Sequence, residues 1–269
     1  MRNSVILMYH DLLPDGEPFP RERQPYVLDP GVFRRQLSII RRSGFATCTV
    51  SEWARAGRHA GTSDVLPPAP FVILTFDDGD QSNHTQALPL LLEAGLTATF
   101  FVTVGRLGDA GYLTWDQLPD LQRAGMEIGS HTLTHRPPAL LSDAELRYEV
   151  VESKKRLEDR LGAPVRSLSS PTGFFNPGMI GMARDAGYSA LCTGHIGMVR
   201  ACSDPFCLPR IPIKRSTGEA DFLRILGPSR TYIARLRGQQ MVRNGLKRLL
   251  GPDRYLRFRR GILGLWTAR

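Results

Sequence analysis

Four times along this chain a helical stretch closes on a glycine and a short strand-like run follows at once. The pattern runs from the helix at 31–43 through Gly44 into 45–48. It recurs at Leu91-Leu92-Glu93-Ala94-Gly95 before 97–102, at Leu121-Gln122-Arg123-Ala124-Gly125 before 126–128, and at Ala183-Arg184-Asp185-Ala186-Gly187 before 188–192. Each glycine suits the left-handed position that ends a helix. Helix starts are marked as well: Asp29-Pro30, the pairs Thr49/Glu52, Thr114/Gln117 and Ser142/Glu145 at capping-box spacing, and Asn176-Pro177. Helices alternating with short strands imply right-handed βαβ units and a parallel sheet. About seven or eight such units favour a closed or nearly closed (β/α) barrel, with an open doubly wound sheet as the alternative.

The strand expected at the centre is Phe71-Val72-Ile73-Leu74-Thr75-Phe76, which ends in Asp77-Asp78-Gly79. An apolar run this short, without alternation, reads as a strand covered on both faces. Chemistry in such sheets gathers at the carboxyl ends of the strands, and two adjacent acids there repel unless a cation or a proton compensates them. A plain βα turn explains one Asp but not the whole Thr75–Gly79 string. A second short strand, Met126-Glu127-Ile128, ends at Gly129, and His131 and His135 follow at i and i+4. One helical turn over 131–135 would set both imidazoles on one face, able to share a metal ion. With a strand-end Asp, the pair makes a two-His, one-carboxylate ligand set.

Here the chain resembles the polysaccharide deacetylase family, carbohydrate esterase family four. Thr75-Phe76-Asp77-Asp78-Gly79 and His131-Thr132-Leu133-Thr134-His135 stand as its first two motifs, and the resemblance covers roughly residues 3–215. It implies a distorted (β/α)₇ barrel. It also implies Asp77 as general base and Asp78, His131 and His135 as ligands of a divalent metal. Zinc is the default for that donor set, over cobalt, manganese and nickel.

Two departures from the family pattern matter. Most members carry a catalytic acid in a Leu-x-His motif near the C-terminal end, and none lies after Cys192; the one His in that stretch is His195. In the circularly permuted poly-N-acetylglucosamine deacetylase branch this element comes first, and Leu7-Met8-Tyr9-His10 fits it. The resemblance therefore implies His10 as general acid. The third motif, often Arg-x-Pro-Tyr-Gly with an Arg bracing the base, is replaced by Ser169-Ser170-Pro171-Thr172-Gly173. Pro171 and Gly173 retain a turn that can wall the substrate. A buried base still needs a charge partner, and Arg210 is the candidate, with a surface Arg on a last strand as the alternative. Trp115 resembles an aromatic of the same branch, where a flat ring can stack on a sugar; the alternative is a core Trp.

The net charge of +9 is concentrated in the tail. Residues 229–269 carry eleven Lys or Arg against one acid, Asp253, so this segment bears +10 and the first 228 residues bear −1. The expected division is thus a catalytic barrel at 1–228 and a basic helical extension at 229–269, with helices at 232–243 and 244–260. The extension is expected either to pack on the barrel or to lie on an anionic membrane. Nucleic acid is not expected, because no binding motif accompanies the charge. Val5–Met8 is too short a run for a signal segment, so the chain as given is expected to be cytoplasmic, peripheral to the inner membrane face if the tail docks there. Cys48, Cys192, Cys202 and Cys207 suggest no nucleophile; the first two read as buried thiols, and the last two are spaced to bridge only under oxidising conditions. Gly105, Gly108 and Gly111 suggest a mobile loop beside the site.

The function expected is metal-dependent hydrolysis of the N-acetyl amide of an N-acetylhexosamine, in a glycan or lipid-linked glycan precursor. A deformylase or other non-peptide amide hydrolase is the alternative. An iron oxygenase would share the ligand triad but has no use for the extra acid Asp77. A vestigial binding module would not need the whole set.

Overall fold

The computed structural model describes residues 4–14, 16, 25–58, 71–173, 175–200, 202–227 and 229–251. The loop expected at 59–70, most of the proline-rich stretch before Pro25 and the tail beyond Gly251 lie outside the described residues. Among them are eight strands: β1 (Val5–Tyr9), β2 (Ala46–Thr47), β3 (Phe71–Phe76), β4 (Ala98–Val102), β5 (Glu127–Ser130), β6 (Ser167–Ser169), β7 (Ala190–Cys192) and β8 (Ile211–Pro212). They pair in parallel in the order β7-β6-β5-β4-β3-β1-β8, with β2 beside the start of β3.

The two ends of this row meet. Leu208 bridges Cys192 at the end of β7, and three residues later Ile211 pairs with Leu7 of β1. Residues 208–212 therefore form the seam that curls the sheet into a distorted (β/α) barrel, which excludes the open doubly wound alternative.

Every residue of β3 and β4 is buried, as the unbroken apolar runs require. Alternate side chains serve two clusters. Leu7, Tyr9, Leu74 and Phe76 pack with Phe33 and Leu37 of the helical shell. Ile6, Ile73, Phe101, Ala190, Cys192 and Leu208 form a second cluster with Val50 and Trp53. Each large side chain buried this way contributes about 1.5–3 kcal/mol of transfer free energy.

The helices are α1 (Pro30–Arg42), α2 (Val50–Arg58), α3 (Leu88–Ala94), α4 (Leu118–Arg123), α5 (Asp143–Leu161), α6 (Gly178–Asp185), α7 (Glu219–Leu226) and α8 (Arg230–Leu250). Their caps are largely those anticipated. Asp29 accepts from the N–H of Gly31 and Val32, and Ser142 and Glu145 make a reciprocal capping box. Gly44, Gly95, Gly125 and Gly187 take φ of 67°, 65°, 78° and 81° at the helix-to-strand junctions.

Two local expectations are corrected. The C-terminal segment is not broken at Gly238 and Gly245; one helix, α8, runs through both. A helical glycine costs about 1 kcal/mol relative to alanine, too little to end a helix whose first turns are held by packing. Ile233 is buried, and Tyr232 and Leu236 pack on the core. The segment 104–111 is not a loose loop either. Its first residues form a 3₁₀ turn, Gly105 N–H donates to Leu133 O at 2.7 Å, and Gly108 N–H donates to Leu113 O at 2.9 Å. A side chain on Gly105 would sit 2.7 Å from Leu133 O, so this glycine serves close backbone approach.

All four cysteines are free thiols, so Cys202 and Cys207 form no bridge. Burial pushes the thiols of Cys48 and Cys192 up to about 12, where they are poor nucleophiles. Among the described residues no helix is long and apolar enough to cross a membrane.

Candidate active site

Because the strands are parallel, their carboxyl ends share one end of the barrel. Tyr9 pairs with Phe76, so His10 and Asp77 leave β1 and β3 at the same level, and Asp77 N–H donates to Tyr9 O at 3.0 Å. β5 delivers His131 next to Val102 of β4, and β6 delivers Ser169.

The adjacent acids of β3 face different partners. Asp78 takes a left-handed φ of 76°, unusual for a residue with a Cβ, and the chain turns there. Asp78 Oδ1 lies 3.4 Å from His131 Nε2 and 3.2 Å from His135 Nε2. Asp77 is buried and faces Arg210 and Ser169 instead.

The segment 131–135 is not a helical turn. Thr132 and His135 have φ of 65° and 62°, and the chain forms an irregular loop that still brings the two imidazole centroids within 5.0 Å. Glu149 of α5 dictates this shape. Its buried carboxylate accepts from the N–H of Leu133 at 2.9 Å, from the N–H of Thr134 at 2.8 Å, and from the Thr134 hydroxyl. Glu149 was legible in principle: it stands on the buried face of α5 with Leu146, Val150 and Leu157, where a carboxylate needs a partner.

Can this cluster hold a metal ion? Asp78, His131 and His135 offer three ligand atoms that all lie within 4.8 Å of one another. Tetrahedral ligands about 2.0–2.1 Å from zinc stand roughly 3.4 Å apart, close to the Asp78–His separations. His131 Nδ1 is 3.0 Å from Ser169 O, so that nitrogen carries the proton and donates it to the carbonyl. That bond fixes the ring and aims Nε2 at Asp78, as metal-bound histidines require. The donor set fits a divalent cation.

Arg210 lies on the barrel seam, between the bridge at Leu208 and the pairing at Ile211, and is 1% exposed. All five of its donors are engaged. Nη1 donates to Asp77 Oδ1 at 2.6 Å and to Thr75 Oγ1 at 3.2 Å, and Nη2 donates to Asp77 Oδ2 at 2.7 Å and to Ser169 Oγ at 2.8 Å. Nε donates to Thr193 O at 3.2 Å. Burial alone would raise the Asp77 carboxyl, but Arg210, with His131, outweighs it and holds the group below the ordinary carboxylate value. Ser169, which stands where the resemblance places the third-motif Arg, thus bonds Asp77 directly, and the guanidinium arrives from the seam. Nothing in a lone serine signalled that role; its position in the motif was the only clue.

His10 is half-buried at the same end. Its ring packs on Tyr26 with centroids 4.6 Å apart, Asn83 Nδ2 donates to its carbonyl at 2.9 Å, and its Nδ1 has no hydrogen-bond partner among the described residues. Burial lowers its basicity, while the nearby carboxylates of Asp78 and Asp77 oppose that shift. Pro171–Gly173 forms a 3₁₀ turn just past β6, with Thr172 at φ 61° and Pro171 buried. Trp115 is half-buried and packs against the main core.

The profile of the polysaccharide deacetylase family matches residues 65–191. A Bacillus subtilis (strain 168) protein, YxkH, described as a candidate polysaccharide deacetylase, is 26% identical over 208 residues, or 77% of this chain and 70% of that protein. A Bacillus cereus peptidoglycan-N-acetylglucosamine deacetylase is 32% identical over 121 residues, but the match spans only 45% of this chain and 54% of that protein. Among solved structures, a Streptococcus pyogenes deacetylase, PplD, in complex with acetate superposes with a TM-score of 0.74 at 26% identity, covering 83% of this chain and 98% of its own.

Proposed function

Through residues 65–191 the chain belongs to the polysaccharide deacetylase family, and on that premise we propose that it hydrolyses the N-acetyl amide of an N-acetylhexosamine unit in a glycan, releasing acetate. The observation that carries this reading is the division of labour between neighbouring acids: Asp78 faces two imidazoles, and Asp77 faces a fully engaged arginine. A structural carboxylate pair has no need of that split, whereas amide hydrolysis needs both a ligand and a base.

Asp78, His131 and His135 would hold the cation, zinc by donor type. Bound there, it supplies Lewis acidity that polarises the amide carbonyl and acidifies water. Asp77 takes the proton from the attacking water. Its Oδ2 accepts from both Arg210 and Ser169, whereas Oδ1 accepts from Arg210, so Oδ1 keeps a lone pair for that proton. Arg210 keeps the base ionised and its plane fixed. His10 delivers a proton to the departing nitrogen; desolvation holds its basicity below that of a free imidazole, so its charged form gives the proton up readily. The turn at Pro171–Gly173 walls the substrate, and the acetamido sugar belongs to a glycan or its lipid-linked precursor.

The test is product analysis with acetylated amino-sugar oligomers, soluble and lipid-linked, alongside their N-formyl counterparts. Acetate and free amine should appear in equal amounts. Formate release with no acetate from any acetylated substrate would replace the deacetylase reading with a deformylase one.

A further inference from the structure

We propose that the exposed face of α8 is a docking surface for an anionic lipid bilayer. The start of the helix is fixed to the body. Arg237 Nε donates to Ile196 O at 2.9 Å, Gln240 Oε1 accepts from Ile196 N–H at 2.8 Å, and Gln240 Nε2 donates to Gly194 O at 2.5 Å. Gly194 and Ile196 lie just past the carboxyl end of β7, so the helix is tied to the barrel end that bears His10, Asp77 and Asp78.

Beyond Gln240 the packing gives way to solvent. Met241, Val242 and Leu249 are 74%, 75% and 82% exposed, the highest values for large apolar side chains among the described residues. With Gly245 they fall at helical spacing on one side. Arg235 is exposed and stands seven residues before Val242, so it flanks the same stripe. Six of the 21 residues of α8 are Lys or Arg, and none is acidic.

A partner for this face must be anionic and apolar at once. A bilayer with acidic headgroups offers both, drawing the cations by charge and receiving Met241, Val242 and Leu249 below the headgroups. Nucleic acid offers the charge alone and leaves the apolar stripe unburied. A second copy of the helix would bring the same uncompensated positive charge against itself. The sequence past α8 continues in kind: Arg254, Arg257, Arg259 and Arg260 are interleaved with Leu256, Phe258, Leu263 and Trp266.

Co-sedimentation of the full chain with vesicles tests this. Vesicles of phosphatidylcholine mixed with phosphatidylglycerol should pellet the protein at low salt and release it as salt rises, while phosphatidylcholine alone should pellet far less. The triple variant Met241→Glu/Val242→Glu/Leu249→Glu alters solvent-facing positions, and an unchanged melting curve would verify its fold; its binding should fall about tenfold or more. Arg235→Gln/Arg243→Gln, which leaves the apolar stripe intact, should weaken binding as added salt does. Equal binding to both vesicle types would overturn the proposal, as would wild-type binding by the folded triple variant. So would a light-scattering mass of a dimer that the triple variant dissolves, or duplex DNA binding that competes the vesicles away.

Discussion

Asp77 is an anion held in a buried site by a guanidinium with no donor to spare, and that pairing sets what each residue can be asked to do. Removing Arg210 would strand a buried charge, so Arg210→Met should destabilise the fold by about 3–5 kcal/mol, read by denaturant unfolding. Asp77→Asn keeps the shape and removes the proposed base. It should keep its metal and lose about 10²–10⁴-fold in turnover. Asp78→Ala should lose metal and turnover together. Metal analysis showing Asp77→Asn depleted and Asp78→Ala replete would reverse the two roles. The acids and histidines were legible because adjacent carboxylates at a strand end carry an electrostatic cost that only function or pairing explains. Arg210 was legible only as a requirement, since its seam position depends on how distant strands meet. Ser169 was not legible as a hydrogen-bond partner, because serine is ordinary in any strand.

At the scale of elements, the loop at 131–135 shows where spacing misleads. Histidines at i and i+4 share a face of a helix, but they converge here on a loop with two left-handed residues. The loop's geometry is imposed from α5 by Glu149, whose carboxylate collects two N–H groups and a hydroxyl. Charge-assisted bonds of this kind contribute about 1.5–3 kcal/mol each. Glu149→Gln should therefore loosen the loop and lower zinc affinity by roughly 10–100-fold, measured by competition with a chelating dye. Wild-type affinity in that variant would mean the loop holds its shape by packing alone. Helix caps and strand cores were read from the sequence more reliably, because they depend on neighbours in the chain. The single course of α8 through Gly238 and Gly245 was missed because it rests on tertiary packing at Ile233.

At the scale of the whole molecule, the strand order sets the first strand directly beside the third. His10 stands some 120 residues before His131, and the sheet order puts both at one end. His10→Ala should lower turnover by about 10²–10⁴-fold while leaving metal content unchanged. Near-normal activity would move the acid role elsewhere, with His195 the next to substitute. The alternation of helices and strands announced the barrel; the short seam at 208–212 that closes it carries too few residues to show a period of its own. The central claim is that one cation, held by Asp78, His131 and His135, drives N-deacetylation. Acetate release from an N-acetylglucosamine oligomer by the metal-stripped chain, before and after adding back zinc, tests it most directly. The account predicts no release before addition, recovery in proportion to zinc bound, and no recovery in Asp78→Ala; undiminished release by the stripped chain would contradict it.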